Sequence, residues 1–168
     1  DEQQPAEDDA DEHLPHREAQ KSYTFYFEGG ISSYVRHLAR GRQLLIDQPF
    51  SVEKEQGDIR VEVALAYTDD YNEHLYTFAN NIHTVEGGTH LTGFRSALTR
   101  AINEYGKGAN LLKAGDGLTG EDVREGLVAV ISVKLPEPQF EGQTKAKLGT
   151  QEARPAVESV VAEYLSYW

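Results

Sequence analysis

The sequence predicts an α/β (α+β) two-layer sandwich, with one mostly antiparallel sheet and helices packed against it. Three observations carry this prediction: a strand-like alternation over 59–66, a nearly continuous apolar run over 127–133, and helical spacing of apolar residues in three other segments. The chain has 168 residues, of which 39% are hydrophobic, so it can form one domain with a substantial core. The predicted order of elements is β-α-β-β-α-(α)-β-loop-α.

The first strand is predicted at 23–27, Tyr-Thr-Phe-Tyr-Phe, because aromatic and β-branched residues favour strands. Gly29 and Gly30 interrupt it. Apolar residues then recur at the spacing of a single helix face: Ile31, Tyr34, Val35 and Leu38. Gly41 is a plausible end for this helix.

Two further strands are predicted at 59–66, where apolar and polar residues alternate, and at 75–79. Asp69, Asp70 and Asn72 lie between them and are typical of a turn. The segment 59–79 is therefore predicted to form a hairpin.

The clearest helix of the sequence begins after Gly87-Gly88 and ends near Gly106 and Gly108. Its apolar stripe consists of Leu91, Phe94, Leu98, Ala101, Ile102 and Tyr105. At about 100° per residue, Arg95 lies at the edge of this stripe and Arg100 lies nearly opposite it. Both arginines are therefore predicted to face solvent or a cavity.

The last third of the chain contains two helices and a strand. Thr119 and Asp122 have the spacing of a capping box, which predicts a short helix. The apolar run 127–133 indicates a strand that is buried on both faces, and Pro136 ends it. A final helix is predicted over 152–168, and we expect the natural chain to continue beyond it.

Charge is unevenly distributed along the chain. The formal net charge is −12, and residues 1–20 contribute eight acidic side chains against one arginine. We interpret 1–21 as an acidic flexible tail or loop and 22–168 as the folded domain. The acidic balance excludes an autonomous nucleic-acid binder with a basic footprint.

Several classes of protein are disfavoured by composition. The chain has no cysteine, which excludes disulfide scaffolds, thiolate zinc sites and a cysteine nucleophile, and fits a cytoplasmic protein. No apolar run approaches the roughly 18–20 residues of a membrane span. The six histidines are scattered, so no metal site is predicted. Methionine is also absent, so we expect the sequence to be a piece of a longer protein.

One glycine motif could indicate a cofactor site. Residues 115–120 match the pattern G-x-G-x-x-G, which binds dinucleotides when a strand precedes it and a helix follows. Residues 109–114 do not have the pattern of a strand, and the helix that follows is short. A flexible loop is the favoured interpretation, and a stand-alone nucleotide-binding enzyme is the alternative.

The loop 139–147 carries an amide and two lysines beside a glycine, directly after a buried strand. A lysine on such a loop can contact a phosphate as a point charge, and Gln143 could hydrogen-bond a phosphate oxygen or a water. An ordinary exposed polar loop explains the composition equally well. The residue types alone leave both interpretations open.

Three segments in register resemble one family, the transducer domain of bacterial DNA gyrase B and of its paralogue in topoisomerase IV. They are 80–95 (Asn-Asn-Ile-His-Thr-Val-Glu-Gly-Gly-Thr-His-Leu-Thr-Gly-Phe-Arg), 118–127 (Leu-Thr-Gly-Glu-Asp-Val-Arg-Glu-Gly-Leu) and 138–145 (Pro-Gln-Phe-Glu-Gly-Gln-Thr-Lys). Residues 26–31, Tyr-Phe-Glu-Gly-Gly-Ile, fit the start of the family's domain. The resemblance covers about 23–168 and favours gyrase over topoisomerase IV.

The resemblance implies a fold and a parent protein. The fold would be that of the second domain of ribosomal protein S5, with a left-handed β-α-β crossover against the usual rule. The parent would be a cytoplasmic, ATP-dependent type II DNA topoisomerase, acting together with gyrase A. An upstream ATPase domain would bind ATP with Mg²⁺ and dimerise on binding it.

The resemblance also implies roles for individual residues. Gln143 and Lys145 match the positions that contact the γ-phosphate of ATP, and Lys145 would be the catalytic one. Lys147 does not match a key position and is interpreted as a solvated neighbour. Arg95 and Arg100 are candidates to line a dimer cavity through which DNA passes, without sequence specificity.

Two consequences and one alternative follow. The catalytic carboxylate and the nucleotide-binding loops of the family are not in these residues, so we expect this chain alone to be inactive, with no ATP or metal bound. The alternative function is a non-catalytic protein–protein interaction module of a related ATPase. Removal of Lys145 from the parent protein would discriminate between the two, because only the first function makes ATP turnover depend on that side chain.

Overall fold

The computed structural model describes residues 30–113 and 115–168. The predicted strand 23–27 and the acidic segment 1–21 lie outside the described residues. Four helices are present in the described ranges: α1 (Gly30–Leu38), α2 (Thr89–Gly108), α3 (Gly120–Arg124) and α4 (Ala153–Leu165). The strands there are β1 (Phe50–Gln56), β2 (Ile59–Tyr67), β3 (His74–Ala79), β4 (Ile82–His83), β5 (Leu127–Lys134), β6 (Phe140–Glu141) and β7 (Lys147–Leu148).

The main sheet has five strands in the order β1-β2-β5-β3-β4. Every neighbouring pair is antiparallel except β3 and β5, which are parallel. The predicted hairpin over 59–79 is therefore wrong, because β5 lies between β2 and β3. The hairpin that does form joins β1 to β2 through Gly57, whose φ of +64° suits a tight turn.

Strand β1 has no counterpart among the strands predicted from the sequence. Its residues alternate between buried and exposed only at Phe50 and Val52, and a run of charged and polar residues follows them to Gln56. This pattern is typical of an edge strand, which pairs on one side only and faces water along much of its length.

The sheet is covered on both faces, by different amounts. Alternate residues of β2 and β5 point to a large core formed with α2 and α4, with Val61, Val63, Leu127, Ile131 and Val133 on the sheet side. The opposite face forms a smaller core with α1. The predicted sandwich of a sheet and helices is confirmed, and α1 adds partial cover to the second face.

Helices α2 and α4 pack very closely. A Cβ atom on Gly93 of α2 would lie 2.6 Å from the carbonyl oxygen of Arg154, so only glycine allows this approach. Helix α2 also belongs to the connection from β3 to its parallel neighbour β5, together with β4 and α3. This is the β-α-β crossover of the fold, and its left-handedness remains a prediction. The crossover places the N-terminal end of α2 directly after β4.

Candidate functional site

The Gln143–Lys145 loop is the tip of a short hairpin. Strands β6 and β7 pair as Phe140 with Leu148 and Glu141 with Lys147. The tip, residues 142–145, is exposed. Gly142 and Lys145 both have positive φ values, +79° and +55°. A positive φ is uncommon for lysine, so the local backbone is held in a specific shape by its surroundings.

Backbone hydrogen bonds join this hairpin to the loop that leads into α2. The N–H of Glu86 donates to the carbonyl of Ala146 (2.8 Å), and the N–H of Leu148 donates to the carbonyl of Gly87 (3.0 Å). Ala146 directly follows Lys145 in the chain. The contact therefore fixes the backbone immediately beside the candidate lysine.

Gly88 makes this contact possible. Its φ is +136°, and a Cβ atom at this position would lie 2.3 Å from the carbonyl oxygen of Leu148. No side chain can occupy that space without moving β7. The close approach gives Gly88 a backbone role, and it explains why the glycine pair before α2 and the hairpin belong to one structural unit.

Two threonines hold the base of the same hairpin. The hydroxyl of Thr89 donates to the carbonyl of Thr150 (2.7 Å), and the hydroxyl of Thr150 accepts from the N–H of Gln139 (2.8 Å). The N–H of Gly149 donates to the carbonyl of Gln139 at 2.8 Å. The hairpin is thus attached to the N-terminal end of α2 at its base as well as near its tip.

The two candidate side chains at the tip are not engaged by other protein groups. Within the ranges 30–113 and 115–168, neither Gln143 nor Lys145 forms a side-chain hydrogen bond or ion pair. Lys147, two residues further on, lies 3.3 Å from the carboxylate of Glu141. The hairpin therefore presents one free ammonium and one free amide to its surroundings. Together these groups can bind an anion such as a terminal phosphate.

A buried polar cluster lies beneath the loop 84–87. Thr77, Thr84 and His90 are almost fully buried, and the Thr84 hydroxyl contacts both the Thr77 hydroxyl (2.7 Å) and Nε2 of His90 (3.0 Å). Burial lowers the pKa of His90 to about 4, so the imidazole is neutral near pH 7. Sequence reasoning assigns no role to His90, and no spacing pattern marks the cluster.

The two candidate arginines of α2 do not form one patch. Arg95 is 39% exposed and lies 3.3 Å from the carboxylate of Glu73, which also pairs with Arg124. Arg100 is 78% exposed and contacts Glu104 one helical turn away. Five residues on a helix correspond to a rotation of about 140°, so the two side chains leave the helix in different directions.

The G-x-G-x-x-G motif does not have the structure of a dinucleotide site. Residues 109–113 and 115–119 contain no strand, and α3 has only five residues. The capping box of α3 is present, with Thr119 and Asp122 bonded reciprocally. The loop interpretation is thus favoured at 115–120.

Two general features concern metals and membranes. In the part of the chain that the structure describes, no cluster of three or more His, Cys, Asp or Glu side chains could hold a metal ion. No helix of the described ranges is long and apolar enough to cross a lipid bilayer.

Similar proteins of known structure share this fold. A structure of the 43K ATPase domain of Thermus thermophilus gyrase B, in complex with an aminocoumarin, is 47% identical with a TM-score of 0.77, covering 85% of this chain and 38% of that one. A topoisomerase IV ATP-binding domain from Francisella tularensis, with a small-molecule inhibitor, is 29% identical with a TM-score of 0.70, covering 86% and 38%.

Sequence comparison gives the same family. The DNA gyrase B protein of Bacillus mycoides is 56% identical over 148 residues, which are 88% of this chain and 37% of that protein. The chain spans between 24% and 37% of the length of the first curated relatives that it matches. The family model for DNA gyrase B matches residues 30–168. The chain therefore belongs to the DNA gyrase B family of type II topoisomerases.

Proposed function

We propose that this chain is the transducer domain of a DNA gyrase B protein, which relays ATP binding and hydrolysis to the passage of one DNA segment through another. The observation that supports this most is the free Lys145 ammonium at the tip of a hairpin that is hydrogen-bonded to the loop before α2. A sensor of this kind must be both exposed and held in place. The hairpin has both properties.

Lys145 would contact the γ-phosphate of ATP, with Gln143 beside it. ATP supplies the phosphoryl group that is transferred to water. A lysine ammonium in a water-poor site stabilises negative charge on that group, and the interaction strengthens as charge develops during transfer. The unpaired state of Lys145 supports this role, because no protein carboxylate in the described ranges has to be displaced first.

The same contact would act as a switch. Lys145 can contact the γ-phosphate only while that group is part of the nucleotide, so hydrolysis and release remove a contact that one conformation makes and the other does not. Because Ala146 is bonded to the loop before α2, a movement of the hairpin would be transmitted to α2 and to α4 packed on it.

The remaining parts of the enzyme would come from outside this chain. We propose that a preceding ATPase domain binds ATP and Mg²⁺, that the intact protein dimerises with ATP, and that it works with gyrase A in the cytoplasm. Arg95 and Arg100 would contact DNA phosphates in the dimer cavity. The 168-residue chain alone would not hydrolyse ATP.

The second candidate is an interaction module in which the hairpin has no contact with nucleotide. The acidic composition favours it, since a net charge of −12 opposes binding to DNA. A topoisomerase IV protein is a weaker alternative, since identity falls from 47% to 29% between the two neighbours of known structure.

The test is the ATPase rate of the full-length protein that carries this chain, with and without DNA. Lys145→Ala should lower turnover by about 10²-fold or more, which is typical for one charged contact to a transition state. Lys147→Ala is the matched control, because it removes a lysine of the same hairpin that is already paired with Glu141. Equal rates for Lys145→Ala and the wild type, with unchanged thermal stability, would favour the interaction module.

A further inference from the structure

The cluster of Thr77, Thr84 and His90 is a directed chain of hydrogen bonds in the core. The hydroxyl of Thr84 donates to the carbonyl of Thr77 (3.0 Å) and accepts from its neighbours. His90 Nδ1 has no hydrogen-bond partner within the described ranges. An unpaired buried N–H costs more than an unpaired lone pair, so the proton belongs on Nε2, which then donates to the Thr84 hydroxyl (3.0 Å).

This chain of bonds ends at the loop that holds the hairpin. The carbonyl of Thr84 accepts from the N–H of Gly87 at 2.9 Å, which closes a turn over residues 84–87. Glu86, inside this turn, donates to Ala146, and the carbonyl of Gly87 accepts from Leu148. The imidazole of His90 is therefore separated from the backbone beside Lys145 by one side chain and one turn.

The polar character of His90 has a cost that packing alone does not explain. It is the second residue of α2 and is fully buried, and one ring nitrogen remains without a partner in the described ranges. A leucine could fill a similar volume without leaving a polar atom unpaired. What leucine could not do is donate a hydrogen bond to Thr84.

We propose that His90 is a positioning residue for ATP hydrolysis, which holds the turn 84–87 and through it the backbone that presents Lys145. This rests on the proposed function of Lys145. Small errors in the position of a catalytic group are costly, because a displacement of about 1 Å can lower a rate by about 10²-fold. A defect at His90 should thus appear in turnover even when the domain stays folded.

Three variants of the full-length protein test the proposal. His90→Leu removes the donor and should lower kcat by about tenfold or more, with a smaller change in KM, since the lost contact matters most in the transition state. His90→Gln places an N–H near the position of Nε2 and should restore most of the rate. Thr84→Val removes the acceptor while keeping the buried shape, and it gives the same comparison if His90→Leu does not fold.

The deciding measurement combines His90→Leu with Lys145→Ala. If His90 acts through Lys145, the double variant should be no slower than Lys145→Ala alone. Losses that multiply, or a His90→Leu variant that turns over at the wild-type rate, would overturn the positioning role while Lys145→Ala remains defective. If Lys145→Ala itself has the wild-type rate, the proposed function fails and this proposal fails with it.

Discussion

The two ends of helix α2 are built differently. At the N-terminal end, Gly88 is in direct backbone contact with Leu148, Thr89 bonds to Thr150, and His90 is fully buried. At the C-terminal end, Tyr105 is largely exposed and a Cβ atom on Gly108 would meet no atom within 4 Å. The end that carries the proposed chemistry is thus the end where space and hydrogen bonding are most restricted.

This contrast shows where function constrains the domain. A hairpin that presents one ammonium group to a phosphate has to keep its position, and only close backbone contact provides that. The solvent-exposed side of α2, with Arg100, needs a charge at roughly the right place and tolerates motion. Substitutions at the two ends should therefore differ strongly in effect.

The largest effect is expected for Gly88→Ala. The new Cβ would overlap the carbonyl of Leu148 in a backbone region that favours glycine, so the free energy of unfolding should fall by about 3 kcal/mol or more. Denaturant unfolding of the 168-residue chain measures this. A change within experimental error would mean that β7 can move away freely, and the hairpin would then not be rigidly held.

Gly108→Ala is the matched control at the other end of α2. Its φ is not positive and the surrounding space is open, so alanine should raise the free energy of unfolding by about 0.4–1 kcal/mol through the unfolded state. The same denaturant experiment applies. Destabilisation here as large as that of Gly88→Ala would remove the contrast between the two ends.

His90 predicts a pH dependence at the N-terminal end. Its folded pKa of about 4 lies below the ordinary value of 6.5, so the unfolded chain binds more protons between these values and stability rises with pH across that window. This contribution is present above pH 6.5 and is lost as the pH falls towards 4. From pH 7 to pH 5 the loss should be about 2 kcal/mol.

Unfolding curves at pH 7 and pH 5, for the wild type and for His90→Gln, isolate this effect. The variant should lack the drop over that interval. Asp70 has a pKa lowered to about 2, mainly by its bond to Arg42, and its contribution is lost only below about pH 4. An identical drop in both proteins would show that another group causes it.

The secondary structure is largely predictable from the sequence, and the strand pairing is not. Strand β5 and helices α1, α2 and α4 follow from local apolar spacing, because their buried faces are continuous. The predicted hairpin over 59–79 is wrong because β5 pairs with both β2 and β3 from about fifty residues or more away. Nothing in local sequence specifies such a partner.

The candidate site shows the same division. Gln143 and Lys145 can be named from a motif, because the motif lies within one loop. The attachment of that loop to Gly87 and Gly88 joins segments about sixty residues apart, and glycines carry no sign of what approaches them. The role of His90 is invisible to sequence patterns for the same reason, since burial and its bond to Thr84 exist only in the folded chain.

The smallest effect on stability is expected for Arg100→Ala. Its pair with Glu104 is exposed, so the free energy of unfolding should change by less than about 0.5 kcal/mol. If Arg100 contacts a DNA phosphate in the full-length protein, the slope of log affinity against log salt should fall in magnitude by about 1. An unchanged slope would remove Arg100 from the DNA-contacting residues.

The central claim is that Lys145 recognises the γ-phosphate from a hairpin held by the N-terminal end of α2. Calorimetric titration of the full-length protein with ADP and with a non-hydrolysable ATP analogue tests it most directly, in the wild type, Lys145→Ala and Lys147→Ala. The account predicts that Lys145→Ala weakens binding of the analogue alone and leaves ADP affinity unchanged, while Lys147→Ala changes neither. Equal affinities of Lys145→Ala and the wild type for both nucleotides would contradict it.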